Sequence, residues 1–116
     1  MSPASADGGG SMSFVQTGGA RLGRSFWWSI NWTWPFATLE IDTDALTIRV
    51  PGAAHRLPRA DIRSVALWGP DWAPPGFSGI VVGHGLSQLP PYVLFWSFRR
   101  PALVEALEAA GYPIFR

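Results

Sequence analysis

Thr38-Leu39-Glu40-Ile41-Asp42-Thr43-Asp44-Ala45-Leu46-Thr47-Ile48-Arg49-Val50 alternates apolar and polar side chains on both sides of an Asp-Thr-Asp break. Successive side chains on a strand point to opposite faces, so Leu39 and Ile41, then Leu46, Ile48 and Val50, define one apolar face of a hairpin. Asp42 and Asp44 read as turn formers, because an Asp carboxylate can accept hydrogen bonds from nearby backbone N–H groups. Pro51-Gly52 closes the second strand. Loop length leaves two registers open: Arg49 stands opposite Thr38 or opposite Glu40, and the second places an ion pair across the strands.

Outward from this hairpin the same period continues. Towards the N-terminus, Phe26, Trp28, Ile30, Trp32, Trp34 and Phe36 alternate with Ser29, Asn31 and Thr33, which predicts an aromatic wall facing inward and Trp27 facing away from it. Pro35 has no N–H to donate, so the strand ends or bends there, or lies on an edge. Towards the C-terminus, His55-Arg56-Leu57-Pro58 is a short extended piece, and the three-residue step from Ile62 to Val65 signals a turn or bulge before Trp68. Residues 69–79 hold three prolines and three glycines, which excludes a regular element and leaves Trp72 and Phe77 on a loop. Ile80-Val81-Val82 is a short strand ending at Gly83-His84-Gly85. Tyr92-Val93-Leu94-Phe95-Trp96-Ser97-Phe98 is apolar at nearly every position, as in a strand covered on both faces or central in a curved sheet.

The period then changes. Leu103, Val104 and Leu107 fall on one helical face and Glu105 and Glu108 on another. Pro101 suits the first helical position, Gly111 the left-handed position after the last turn, and Pro113 blocks continuation. Seven strand candidates (26–34, 37–42, 45–50, 55–58, 64–68, 79–83 and 92–98) followed by one helix predict a mainly β fold. Its expected form is a bent antiparallel sheet or half-open barrel, closed at one end by the C-terminal helix.

Composition bounds the rest. The chain has 116 residues, a formal net charge of +1 and no cysteine. A chain this size forms one domain and buries roughly two-thirds of its unfolded surface. Absence of cysteine excludes disulfides, a thiolate nucleophile and thiolate metal sites. All nine basic residues are Arg, which with abundant Ala, Gly and Pro reflects a GC-rich genome rather than chemistry. So small a net charge argues against nucleic acid as a partner and against attraction to an anionic membrane. No apolar run approaches the ~20 residues of a membrane-spanning helix, and the N-terminus lacks a secretory pattern. Residues 1–24 therefore read as a flexible segment and 25–116 as the domain, placed in the cytoplasm.

Leu39-Glu40-Ile41-Asp42 with Ala45-Leu46-Thr47-Ile48, Leu57-Pro58-Arg59-Ala60-Asp61-Ile62, Gly79-Ile80-Val81-Val82, and Tyr92-Val93-Leu94-Phe95-Trp96 leading into 101–111 together resemble small bacterial pleckstrin-homology-like proteins. The resemblance runs from Phe26 onward. It implies a binding or scaffolding module without catalysis. Phosphoinositide-binding members place Lys and Arg around an early hairpin. Here that hairpin carries Asp42 and Asp44, whose charge repels an inositol phosphate.

Few residues offer chemistry. His55 and His84 have no second ligand at metal-site spacing, and no nucleophile motif or phosphate loop is present, so no cofactor or metal is expected. His84 reads either as a strand-end residue or as a ligand contact at a pocket mouth. Arg99 and Arg100 precede the helix, where cations are locally unfavourable; beside its N–H groups they could take a carboxylate or phosphate, or be merely solvated. Trp27, Trp68, Trp72 and Phe77 are candidates for partner contact, the alternative being that loop aromatics plug the barrel mouth. Two functional readings follow. The first is a non-catalytic module that binds a protein or peptide through an aromatic surface or free sheet edge, with a second copy of the chain as another possible partner. The second is a small-molecule or carbohydrate-binding barrel using Trp68, Trp72 and His84.

Overall fold

The computed structural model describes residues 14–25, 27–69 and 78–115. Among these, eight strands form one sheet: β1 (Phe14–Gly23), β2 (Ser29–Ile41), β3 (Ala45–Val50), β4 (Ala53–Pro58), β5 (Ile62–Trp68), β6 (Gly79–His84), β7 (Tyr92–Trp96) and β8 (Ile114–Phe115). The helix α1 (Arg100–Ala109) lies between β7 and β8. Spatial order is β4-β3-β2-β1-β7-β6-β5-β8, antiparallel except where β8 joins β5. The chain is thus a mainly β, half-open barrel with a C-terminal helix.

The long β1–β2 ribbon belongs to both halves of the barrel. β3 meets β2 at Thr38–Ile41, whereas β7 meets β1 at Gly19–Gly23. Between those regions the β1–β2 register jumps: Gly18 pairs Ala37, and Ala20 pairs Trp32. Four residues of β2, Thr33 to Phe36, thereby face the single Gly19 of β1. A bulge of this kind bends the strand and sharpens its twist, turning one half of the sheet against the other.

This bulge corrects the expected aromatic wall. Its extra residues shift the inward phase of β2 from even positions to Ala37, Leu39 and Ile41, which are 0 to 1% exposed. On the even side, Phe26 lies outside the described residues, and among the described ones Trp32 packs against the core. Trp28, Ile30, Trp34 and Phe36 are exposed, and so is Trp27. The strands expected at 26–34 and 37–42 are one strand from Ser29 to Ile41, and Pro35, whose bond to Trp34 is cis, sits in its bulge.

The flexible segment expected at 1–24 is corrected from Phe14 onward, because β1 is central in the sheet. Its inward residues Gly18, Ala20 and Leu22 are small or isolated, so no apolar alternation marks it. Contact with β7 explains the glycines: a Cβ on Gly19 would enter the Trp96 indole, and one on Gly18 would meet the Trp96 carbonyl oxygen.

The remaining elements follow their sequence, except that β7 ends at Trp96, leaving Ser97 and Phe98 of the expected 92–98 strand outside it, and that Ile114–Phe115 adds a short strand not expected. Arg49 pairs Thr38 yet reaches Glu40 diagonally at 2.9 Å, so the register that seemed to forbid the ion pair still forms it. Asp44 N–H donates to the Asp42 carboxylate at 3.2 Å within the turn. A 3-10 turn at Arg59–Asp61 and a register shift between Ile62 and Ser64 supply the irregularity read from the Ile62–Val65 step. On β7, Val93, Leu94 and Phe95 are all buried, as expected of a central strand. Leu103 and Leu107 are fully buried and Val104 is 9% exposed, placing that face of α1 over the barrel opening.

Side chains close the seam at the helix end. Gly111 has φ +90°, with Gly111 N–H donating to Glu108 O and Tyr112 N–H to Leu107 O, both at 3.0 Å. These two bonds satisfy carbonyls left over at a helix C-terminus. Arg59 reaches across to the Ala110, Gly111 and Thr43 carbonyls at 2.8, 2.6 and 3.0 Å, and its guanidinium lies 4.7 Å from the Tyr112 ring centroid. Tyr112 hydroxyl donates to Asp42 O at 2.7 Å.

Candidate functional site

The β1–β7 ladder stops at Gly19, and beyond it β1 and the segment entering α1 diverge. Phe14 to Gly18 still pair with β2 on one side. On the other side lies a groove of about 410 Å³ lined by Phe14, Val15, Gln16, Thr17, Trp34, Ser97, Phe98, Arg99 and Ala102. That volume is within the range of small ligand pockets.

Its floor is bridged by side chains where a strand would continue the sheet. Gln16 Nε2 donates to Arg99 O at 3.2 Å, Ser97 Oγ donates to Gln16 Oε1, and Arg99 N–H donates to Ser97 Oγ at 2.9 Å. Ser97 is 1% exposed, so these bonds satisfy a hydroxyl withdrawn from water. One wall is aromatic: Trp34 and Phe98 have ring centroids 5.6 Å apart, and Phe98 meets Trp96 edge-on at 5.8 Å. Such tilted contacts are favourable for aromatic pairs. Val15, Trp34 and Phe98 remain 60%, 48% and 46% exposed, so a large apolar surface still faces water at this point. Arg99 is the charged residue of the lining and is exposed.

The candidates named from sequence go to different places. Trp27 is 83% exposed beyond the β1–β2 ribbon. Trp72 and Phe77 lie outside the described residues. Trp68 pairs Gly79, while His84 pairs Ile62 at the other end of the same ladder, about 20 Å away at ~3.3 Å per residue. The two therefore do not form one pocket. His84 Nε2 donates to Pro90 O at 2.8 Å and its Nδ1 accepts from Leu86 N–H at 3.1 Å, so the ring pins the loop that follows β6. Arg100 is 5% exposed, and its Nη1 donates to the Trp68 and Gly69 carbonyls at 2.9 and 2.7 Å. It ties the helix start to the end of β5, which leaves Arg99 as the accessible member of the pair.

Val15, Gln16, Trp34, Ser97 and Phe98 were not singled out from sequence. Two lie in the segment that reads as flexible, and the alternation places Trp34 on the inward wall. Pro35, interrupting an otherwise regular alternation, was the signal that the phase changes there. Elsewhere, a concavity of about 370 Å³ on the outer face of β2, β3 and β4 is lined by Glu40, Asp42, Asp44, Arg49 and Arg56, whose mixed charges include the Glu40–Arg49 ion pair. Among the described residues no group of three or more His, Asp or Glu is placed to hold a metal ion, and no helix is long and apolar enough to cross a membrane. No family model matches the chain, and no curated protein or solved structure matches it significantly.

Proposed function

We infer that the chain is a non-catalytic interaction module of the pleckstrin-homology-like kind, acting in the cytoplasm, which holds an extended segment of a partner protein in the groove between β1 and the start of α1. What carries this reading is the coincidence at one place of a strand edge, 14–18, that no strand among the described residues extends, with exposed Val15, Trp34 and Phe98. Alternate residues of a strand turn their N–H and C=O groups to each side, so an added strand gains main-chain bonds while side-chain pockets select its sequence. The Trp34–Phe98 wall favours an apolar residue and Arg99 a carboxylate beside it. The bent sheet with a helix over its gap supports the family resemblance. Asp42 and Asp44 at the β2–β3 turn, with no Lys in the chain, support the inference that a phosphoinositide head group is not the ligand.

The test is a titration of the full chain with short extended peptides alternating Leu or Val with Ser, bearing either Asp or Arg at one end, followed by tryptophan fluorescence. Saturable binding that prefers the acidic peptides is expected. Trp34→Ala and Phe98→Ala should each weaken it at least about tenfold, the loss of one well-packed aromatic anchor, with little change in melting temperature. No saturation by any peptide, or binding indifferent to Trp34→Ala, overturns the reading. Saturable capture by phosphoinositide vesicles would reverse the lipid inference.

A further inference from the structure

On the side of β2 away from β1, β3 pairs only Thr38–Ile41, and among the described residues no strand pairs with 30–36. This projecting edge differs from the two ends of the sheet. β4 carries His55, Arg56 and Pro58, and β8 is two residues long, both common ways of keeping an outer strand from pairing with another chain. On β2, Pro35 and the bulge protect the edge from Trp34 to Phe36 in the same way, which leaves 29–33 as the stretch open to pairing, with neither charge nor proline in it. From Ser25 to Leu39 the sequence contains no charged residue, and Trp27, Trp28, Ile30 and Phe36 are 83%, 78%, 64% and 59% exposed.

We propose that two copies of the chain associate through this edge, pairing β2 with β2 antiparallel about a two-fold axis and joining their sheets. Charge selects an uncharged partner. A two-fold pairing meets that condition with no unlike charge required on the other side, since each copy brings the same neutral edge. Area supports it: at these exposures Trp27, Trp28 and Ile30 present roughly 450 Å² of apolar surface beside the open stretch, taking ~150–250 Å² for a whole aromatic residue. Exposed Asn31 and Thr33 and the open main chain add to this, towards the ~800 Å² that each partner contributes to a stable complex. Antiparallel pairing also fixes a geometric rule. The axis stands normal to the joined sheet and keeps each residue on its own face, so one residue of β2 lies opposite its own copy.

The absence of cysteine makes that rule measurable. A single cysteine placed in turn at Ser29, Ile30, Asn31, Trp32 and Thr33 should give a disulfide-linked dimer that peaks sharply at one position, because a disulfide requires Cβ atoms within about 4.5 Å. Sedimentation of the unmodified chain should show a concentration-dependent dimer, and Ile30→Lys, by placing a charge on each edge, should weaken it at least about tenfold while leaving peptide titration of the groove unchanged. Monomer at every concentration, cross-linking without a positional maximum, or an unchanged dimer in Ile30→Lys overturns the proposal. So does a monomer that binds zwitterionic lipid vesicles through Trp27 and Trp28. Loss of peptide binding in Trp34→Ala with the dimer intact would separate this edge from the groove.

Discussion

At the scale of single residues, the two adjacent glycines of β1 do different things although the sequence presents them as a pair. A Cβ on Gly19 collides with the Trp96 indole, a side chain that can be made smaller; a Cβ on Gly18 collides with the Trp96 carbonyl oxygen, which belongs to the β7 backbone. Gly19→Ala should therefore cost about 1–3 kcal/mol, as overpacking does, and Trp96→Leu in the same chain should recover part of it. Gly18→Ala should cost more and gain nothing from Trp96→Leu. Urea unfolding of the four variants decides between this and equal, unrescued losses. The same residues explain why the sequence alone does not mark β1. Glycine in a strand signals close backbone approach only when the approaching element is known, and in isolation Gly18-Gly19 reads as flexibility.

At the scale of elements, the helix is legible to within one residue, since Arg100 opens it rather than Pro101, and β2 only partly so. Helical spacing of Leu103, Val104 and Leu107, Pro101 near the start and Gly111 after the end all act within one or two turns, and the structure keeps each. The lid then makes a plain prediction. Leu107→Ala should destabilise the domain by about 2–5 kcal/mol, as for a fully buried leucine, whereas Glu105→Ala on the exposed face should stay within about 0.5 kcal/mol. Equal effects in thermal unfolding would mean that the helix does not cover the core. For β2, the sequence carries the period of two but not its phase, because the three extra residues opposite Gly19 are set by the partner strand rather than by β2 itself. Trp34 shows the consequence, since the displacement that removes it from the core is also what places it beside Phe98 in the groove.

At the scale of the whole molecule, the barrel is left open between its outer strands, and the C-terminal residues tie that side together through Tyr112, Arg59 and the β2–β3 turn. The tie depends on a neutral phenol, because the Tyr112 hydroxyl must donate to Asp42 O. Burial pushes the Tyr112 pKa above its ordinary value of about 10; Arg59 opposes the shift, Asp42 and Asp44 add to it, and Arg56 opposes it again. Tyr92 is raised as well, by burial, with Arg21 opposing. Unfolding releases both phenols to ionise near pH 10, while the folded chain keeps them protonated to higher pH. Above about pH 10 the unfolded state thus binds fewer protons than the folded one, and stability must fall as pH rises towards the folded values. The contribution is fully present below pH 10. The urea midpoint should be steady from pH 8 to about pH 10 and decline beyond it. Tyr112→Phe should begin lower at pH 8, by roughly 1 kcal/mol for the lost hydrogen bond, and then decline less steeply, keeping the share due to Tyr92. A variant whose alkaline decline runs parallel to that of the unmodified chain would show that the seam holds without the Tyr112 proton.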